Sequence, residues 1–260
     1  HPLVKAGGFD MLFNAQYHFL PLFEDLAPQV WLPIGFDEIR FSKDLIMEPV
    51  CDVSFIGQTG LAGLIYDQDD SIGHYATRYS GDRFARTRFA FHFHDGFDYA
   101  ERGEMLLRLC DDFNVRIYGD VWDEGYAKAI QAGRVGFNRS LLHDFGNRNF
   151  ELMASRRTFV ADEVPGHGFL YQHGIHALLY RTYFKPHFDN FRLEYEAARD
   201  LIRRLLDQPP LRDRMEEDAF ELAWQFHSFS ARAKFMIMNV ERIKRGDPPI
   251  PFERLVSLDD

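Results

Sequence analysis

The amino-acid sequence predicts an α/β fold: a parallel sheet flanked by helices on both faces, closed by a helical C-terminal tail. Three observations carry this. Short apolar runs ending in Gly, Pro or Asn alternate with segments of helical spacing, the pattern of a parallel, doubly wound sheet. The stretch from about 189 to 244 reads as helix, broken near Pro209-Pro210. Apolar residues make up 46% of the 260, with 26 phenylalanines, enough for a large aromatic core.

The elements follow in order. Residues 9–14 read as a short buried strand, 17–26 as helical, and Val30-Trp31-Leu32-Pro33 as a second strand. Two such pieces cannot cover both faces of a sheet, so residues 1–45 are expected to be the remnant of an upstream domain with its crossover. Residues 46–260 then form the main domain. Its first strand, 52–56, runs into a turn with Gly57, Thr59, Gly60 and Gly63. Residues 61–100 have no regular pattern and are taken as an insertion, with a strand or hairpin at the alternating 89–94. An amphipathic helix is expected at 101–113, with Met105, Leu106, Leu109 and Phe113 on one face. Strands at 115–119, 134–138, 158–161 and 177–180 and helices at 123–132 and 147–154 complete the alternation.

Composition narrows function. Thirty basic against forty acidic residues give a formal charge of −10, which argues against nucleic-acid binding. No run of 18 apolar residues suggests a transmembrane helix, and no signal peptide opens the chain. Two cysteines are too few for a disulfide scaffold or a structural zinc site, so a cytoplasmic setting is expected. The H-x-H-D run His92 to Asp95 has the geometry for two metal ligands, but no third is fixed, and no metal site is expected. Residues 67–73 fail as a calcium loop, because Arg78 stands where a glutamate is needed. The cluster Arg83, Arg86 and Arg88 reads as a solvated face or as steering for an anionic acceptor. No G-x-S-x-G elbow and no GxGxxG are present.

Ligands of open parallel sheets bind at the carboxyl ends of the strands. After the strand at 52–56, the small residues of Gly57-Gln58-Thr59-Gly60 form either a plain tight turn or a place where backbone N–H groups meet a phosphate. After Tyr118 come Gly119 and Trp122, either a core aromatic or a stacking face for a planar base. Asn138 and Arg139 end another strand. Arg148 and Glu151 then stand three apart at a helix start and share a face. That pair is either an ordinary salt bridge or a cation for a phosphate beside a carboxylate for a ribose diol. His143, His167, His173 and His176 flank this region, and a histidine titrates where a general base is useful.

These residues carry a resemblance. Their order, with Arg148-x-Phe150-Glu151-x-x-Ala154 after the strand ending in Asn138 and before Phe159-Val160-Ala161-Asp162, resembles the Rossmann-like donor-binding half of GT-B glycosyltransferases. The nearest subgroup is the CgeB-type (spore-maturation-protein-B-like) family. Leu205-Leu206-Asp207-Gln208-Pro209, then His227-Ser228-Phe229 and Arg232, resemble that family's closing helices. Phe13-Asn14-Ala15-Gln16 and Trp31-Leu32-Pro33 resemble the end of its first domain.

The resemblance implies transfer of a sugar from a UDP- or GDP-type nucleotide-diphosphate sugar to the hydroxyl of a glycan, protein or small-molecule acceptor, with no obligatory cofactor or metal. It implies that Glu151 holds the donor ribose and Arg148 the diphosphate. Gly57 and Thr59 lie at the phosphates or domain cleft, Tyr118, Gly119 and Trp122 near the base, and Asn138 and Arg139 complete the donor site. The base comes from the missing first domain, or is His143 or His167. His143 stands eight before Glu151, where many retaining members have a second glutamate. The alternative is a noncatalytic nucleotide-sugar or glycan-binding module of a larger protein.

Overall fold

The computed structural model describes residues 9–15, 20–21, 25, 27–57, 65–69, 74–78, 97–119, 121, 124–140, 145–182 and 188–256. The expected helix at 17–26, the expected strand at 89–94, the 83–88 arginine cluster, the 92–95 histidine run, Thr59, Trp122 and His143 fall wholly or largely outside these residues.

Two short parallel strands, β1 (Leu12–Asn14) and β2 (Gln29–Trp31), pair only with each other. The main sheet begins with β3 (Cys51–Ile56). It continues through the antiparallel hairpin β4 (Ile65–Asp69) and β5 (His74–Arg78), then β6 (Val115–Tyr118), β7 (Gly133–Asn138), β8 (Phe159–Asp162) and β9 (Leu178–Tyr180). Its order is β4-β5-β6-β3-β7-β8-β9, and β6, β3, β7, β8 and β9 all run parallel. The sheet reverses direction of growth at β3, which places β3, β6 and β7 side by side with their carboxyl ends together. Part of the 61–100 insertion thus extends the sheet as an edge hairpin, paired antiparallel to β6 at Thr77 and Ile117.

Among the described residues the helices are α1 (Phe97–Asp112), α2 (Glu124–Gln131), α3 (Arg148–Ala154), α4 (Phe188–Asp207), α5 (Pro209–Leu222), α6 (Phe229–Lys244) and α7 (Phe252–Leu255). None is long and apolar enough to cross a membrane. Helix α1 starts four residues before the expected boundary and keeps Met105, Leu106 and Leu109 fully buried. Strand alternation sorts the core onto two faces. Val53, Phe55, Ile117, Val135 and Phe137 meet α1 and α4 on one side. Ile56, Tyr118, Phe159 and Ala161 meet α2, α3 and the C-terminal helices on the other, together with Trp31, Phe36 and Phe41. Gly136 explains how closely α3 sits on β7: a Cβ there would come within 2.3 Å of the Leu152 side chain.

The C-terminal tail breaks twice. Pro209 and Pro210 open α5, as expected, because proline is tolerated in a first helical turn. A second break, unforeseen, is a π-helical turn at Ala223–His227 followed by extended Ser228, whose hydroxyl accepts from the Ala231 N–H. The segment that follows β2 docks at this break. Phe36 N–H donates to the His227 carbonyl at 2.9 Å, and the Glu38 carboxylate accepts from the Phe229 and Ser230 N–H groups at 3.0 and 2.9 Å.

Candidate donor site

The carboxyl ends of β3, β6 and β7 and the first turn of α3 converge. Gly57 closes β3, its N–H donating to the Tyr118 carbonyl at 3.0 Å. Its φ of 133° is strained for any residue with a side chain. A Cβ on Gly57 would stand 3.8 Å from an Arg148 guanidinium nitrogen, so Arg148 lies directly above this turn.

Arg148 and Glu151 share one face of α3, as their spacing requires, with Nη1 and Oε2 at 3.4 Å. The Glu151 carboxylate is 95% buried and tightly held. The Tyr126 hydroxyl of α2 donates to its Oε2 at 2.8 Å, and Asn147 Nδ2 donates to Oε1 at 3.2 Å. The Arg148 guanidinium rests on the Tyr126 ring, 5.1 Å from its centroid, while its Nη1 is buried and makes no hydrogen bond. Burial pushes the Tyr126 phenol far above its usual range, so the hydroxyl stays protonated and can only donate to the carboxylate. Because α3 has only seven residues, the cation here is a side chain rather than a helix dipole.

The other expected donor residues have different places. Tyr118 has no exposed surface and packs in the core, so it offers no ring face to a base; its carbonyl accepts from the Gly57 N–H. Asn138 is buried: its Nδ2 donates to Asn149 Oδ1 at 2.8 Å, and Asn149 donates to the Tyr171 hydroxyl at 2.7 Å. It supports α3 from beneath. Arg139 departs furthest from expectation. As the next residue along an extended chain it points to the opposite side of the sheet. There its guanidinium pairs with Glu194 of α4 at 2.7 Å, both side chains nearly sealed from solvent. Its carbonyl accepts from Arg102 Nε at 3.0 Å. Arg139 is therefore committed to the core.

The loop after β8 is anchored at its start. Asp162 ties it to the loop after β7, accepting from the Ser140 N–H at 2.7 Å and from the Ser140 hydroxyl. His167, half-buried in a 3-10 turn, donates from Nδ1–H to the Val164 carbonyl at 3.0 Å. That fixes the tautomer and leaves Nε2 as an acceptor. The same loop packs on Trp31, which meets Phe145 at 5.5 Å and Phe169 at 6.5 Å between ring centroids. His173 and His176 are structural, each accepting a backbone N–H at Nδ1, from Leu179 at 2.9 Å and Gln172 at 3.0 Å.

The sequence reading gives Tyr126, Asn147 and Asn149 no role. Asn147 stands four before Glu151, a spacing that could have flagged it. Nothing in the sequence marks Tyr126, because its role depends on α2 lying beside α3.

A family model described as glycosyl transferase-like matches residues 86–238, more than half of the chain. No curated protein sequence matches it. Among solved structures, sucrose-phosphate synthase from Thermosynechococcus elongatus is 15% identical, with a TM-score of 0.51 over 92% of this chain and 59% of that one. HepE of Anabaena in complex with UDP is 13% identical, with a TM-score of 0.55 over 89% of this chain and 64% of that one. The pneumococcal O-GlcNAc transferase GtfA, in complex with UDP and GlcNAc, is 14% identical, with a TM-score of 0.52 over 94% of this chain and 47% of that one. The chain thus spans about half to two thirds of these proteins' lengths. At such identities the likeness shows the fold, and the family match adds membership: the chain belongs to the glycosyl transferase-like family, with GT-B architecture.

Proposed function

We propose that the chain is the donor-binding half of a CgeB-type hexosyltransferase. It takes a UDP- or GDP-type sugar as donor and a glycan, protein or small-molecule hydroxyl as acceptor. The observation that carries this is the Arg148–Glu151 pair on one face of α3 above Gly57. Glu151 accepts from the ribose hydroxyls. Arg148 turns its guanidinium to the diphosphate. The Gly57 and Gly119 backbones, with Thr59 and Trp122, border the phosphates and base. Residues 1–45 belong to the end of the first GT-B domain, a reading supported by the separate β1–β2 sheet; residues 46–260 form the donor domain.

In the reaction the acceptor oxygen forms a bond to the anomeric carbon as the bond from that carbon to the diphosphate oxygen breaks. Negative charge develops on the departing diphosphate, and Arg148 stabilises it in a partly dry site. The acceptor proton passes to a base. His167 is suited by its free Nε2, and His143 is the alternative. Because a cationic side chain meets the leaving group, no divalent ion is obligatory. The two cysteines, neither in a disulfide, support a cytoplasmic setting.

Calorimetric titration with UDP and GDP, on the wild type and Glu151→Ala, tests the reading. One of the two nucleotides binds the wild type and loses most of its affinity in the variant. Absence of binding to the wild type sinks the donor reading. A second reading is a noncatalytic nucleotide-sugar or glycan-binding module of a larger protein. It predicts nucleotide binding without donor hydrolysis or transfer.

A further inference from the structure

Tyr126 carries two arginines, and only one of them belongs to the pair above. The Arg40 guanidinium carbon lies 5.1 Å from the Tyr126 ring centroid, the same distance as that of Arg148. Arg40 comes from the crossover turn at 37–41, closed by Arg40 and Phe41 N–H groups on the Asp37 carbonyl, each at 3.1 Å. Phe41 packs edge-on against the same ring at 5.9 Å.

We propose that Arg40 is a second cation of the diphosphate site, acting with Arg148 around the Tyr126 ring. The inference rests on the donor reading above and deepens it. Charge balance points the same way. Arg40 has no ion pair among the described residues. The carboxylates in its own turn are engaged elsewhere: Asp37 Oδ1 accepts from the Ile39 N–H at 3.0 Å, and both Glu38 oxygens cap α6. Among the described residues, the Tyr126 ring thus carries two guanidinium groups, of which only Arg148 is paired with a carboxylate. Like charges held together at a half-buried place repel unless an anion joins them. Arg148 Nη1, buried and 3.4 Å from Glu151 Oε2, makes no hydrogen bond. A diphosphate carries more than one negative charge and several acceptor oxygens, which matches two arginine forks better than one. Arg40 is half-buried, so its side chain has room to turn from the ring face toward a phosphate.

The test is calorimetry on the full chain with two probes, UDP and uridine, at low and high salt, comparing wild type, Arg40→Gln and Arg40→Lys. Arg40→Gln is expected to weaken UDP about tenfold, to leave uridine within about twofold, and to reduce the salt dependence of UDP binding. Arg40→Lys keeps the charge and holds UDP closer to wild type. Equal UDP affinity in wild type and Arg40→Gln overturns the proposal. So does an equal weakening of UDP and uridine, which marks a packing role through Tyr126. If wild type binds neither UDP nor, titrated alongside, GDP, the donor reading itself fails, a result distinct from either.

Discussion

Two arginine–glutamate pairs lie near the end of β7, on opposite sides of the sheet. Arg139–Glu194 is close at 2.7 Å and almost wholly buried. Arg148–Glu151 is longer at 3.4 Å, with an arginine 17% exposed and one of its nitrogens lacking a hydrogen bond. Both pairs put opposite charges together, yet only the second leaves capacity to spare. A sealed, short pair fixes the fold, since breaking it strands a charge in a low-dielectric interior. A looser pair at a rim can exchange one partner for a ligand at little cost. The carboxylate of the second pair is positioned by neutral donors, Tyr126 and Asn147, so it keeps its place when the arginine turns away.

Breaking the sealed pair sharpens this contrast most. Arg139→Ala strands Glu194 and is expected to cost about 3–5 kcal/mol of stability. The loss appears in denaturant unfolding, while any folded fraction keeps its UDP affinity. A stability loss below about 1 kcal/mol would place Arg139 outside the core role assigned to it. Glu151→Ala should do the reverse. UDP affinity falls about 100-fold, equivalent to about 2.7 kcal/mol, with a much smaller change in unfolding midpoint.

Acid should act on the buried histidines, His227 and His176, rather than on the donor site. Burial, together with the neighbouring Arg232 guanidinium, holds the His227 imidazole well below the usual histidine range, and burial lowers His176 as well. Arg232 donates to His227 Nδ1 at 2.9 Å, and His227 Nε2–H donates to the Leu170 carbonyl at 3.0 Å, so the ring is held neutral between them. Above about pH 6.5 neither folded nor unfolded chain carries the proton. As pH falls through 6.5 the unfolded chain takes up a proton that the folded chain refuses, and stability drops by up to about 1.4 kcal/mol per pH unit for each such histidine. Melting temperatures from pH 8 to 5 should show this fall, and His227→Asn should flatten it; an unchanged slope would contradict the assignment. The smallest expected effect is that of Tyr126→Phe, which removes one hydrogen bond to Glu151 and leaves the ring under Arg148. UDP affinity should fall about fivefold, near 1 kcal/mol. No change would show that Asn147 alone orients the carboxylate.

Much of this was legible in the sequence, and the limits have physical causes. The parallel strands could be read because each is a short apolar run, several of them stopped by Gly or Asn, and the Arg148–Glu151 face because i,i+3 spacing fixes it. Arg139 was misjudged although the period of an extended strand already sends Asn138 and Arg139 to opposite faces. Tyr118 could not be assigned from an apolar strand end alone; burial under α2 and α3 decides it. The break at 223–228 has a local sign in Ser228, but its partner Glu38 is about 190 residues away and no local pattern links them. Tyr126 likewise becomes visible only when two helices lie side by side.

The most direct measurement is a crystal structure of the chain soaked with UDP. Ribose hydroxyls within hydrogen-bond distance of the Glu151 carboxylate, and diphosphate oxygens on Arg148 with the old ion pair lengthened, are the expected result. A nucleotide bound away from α3, or an Arg148–Glu151 contact unchanged beneath a bound nucleotide, would contradict it.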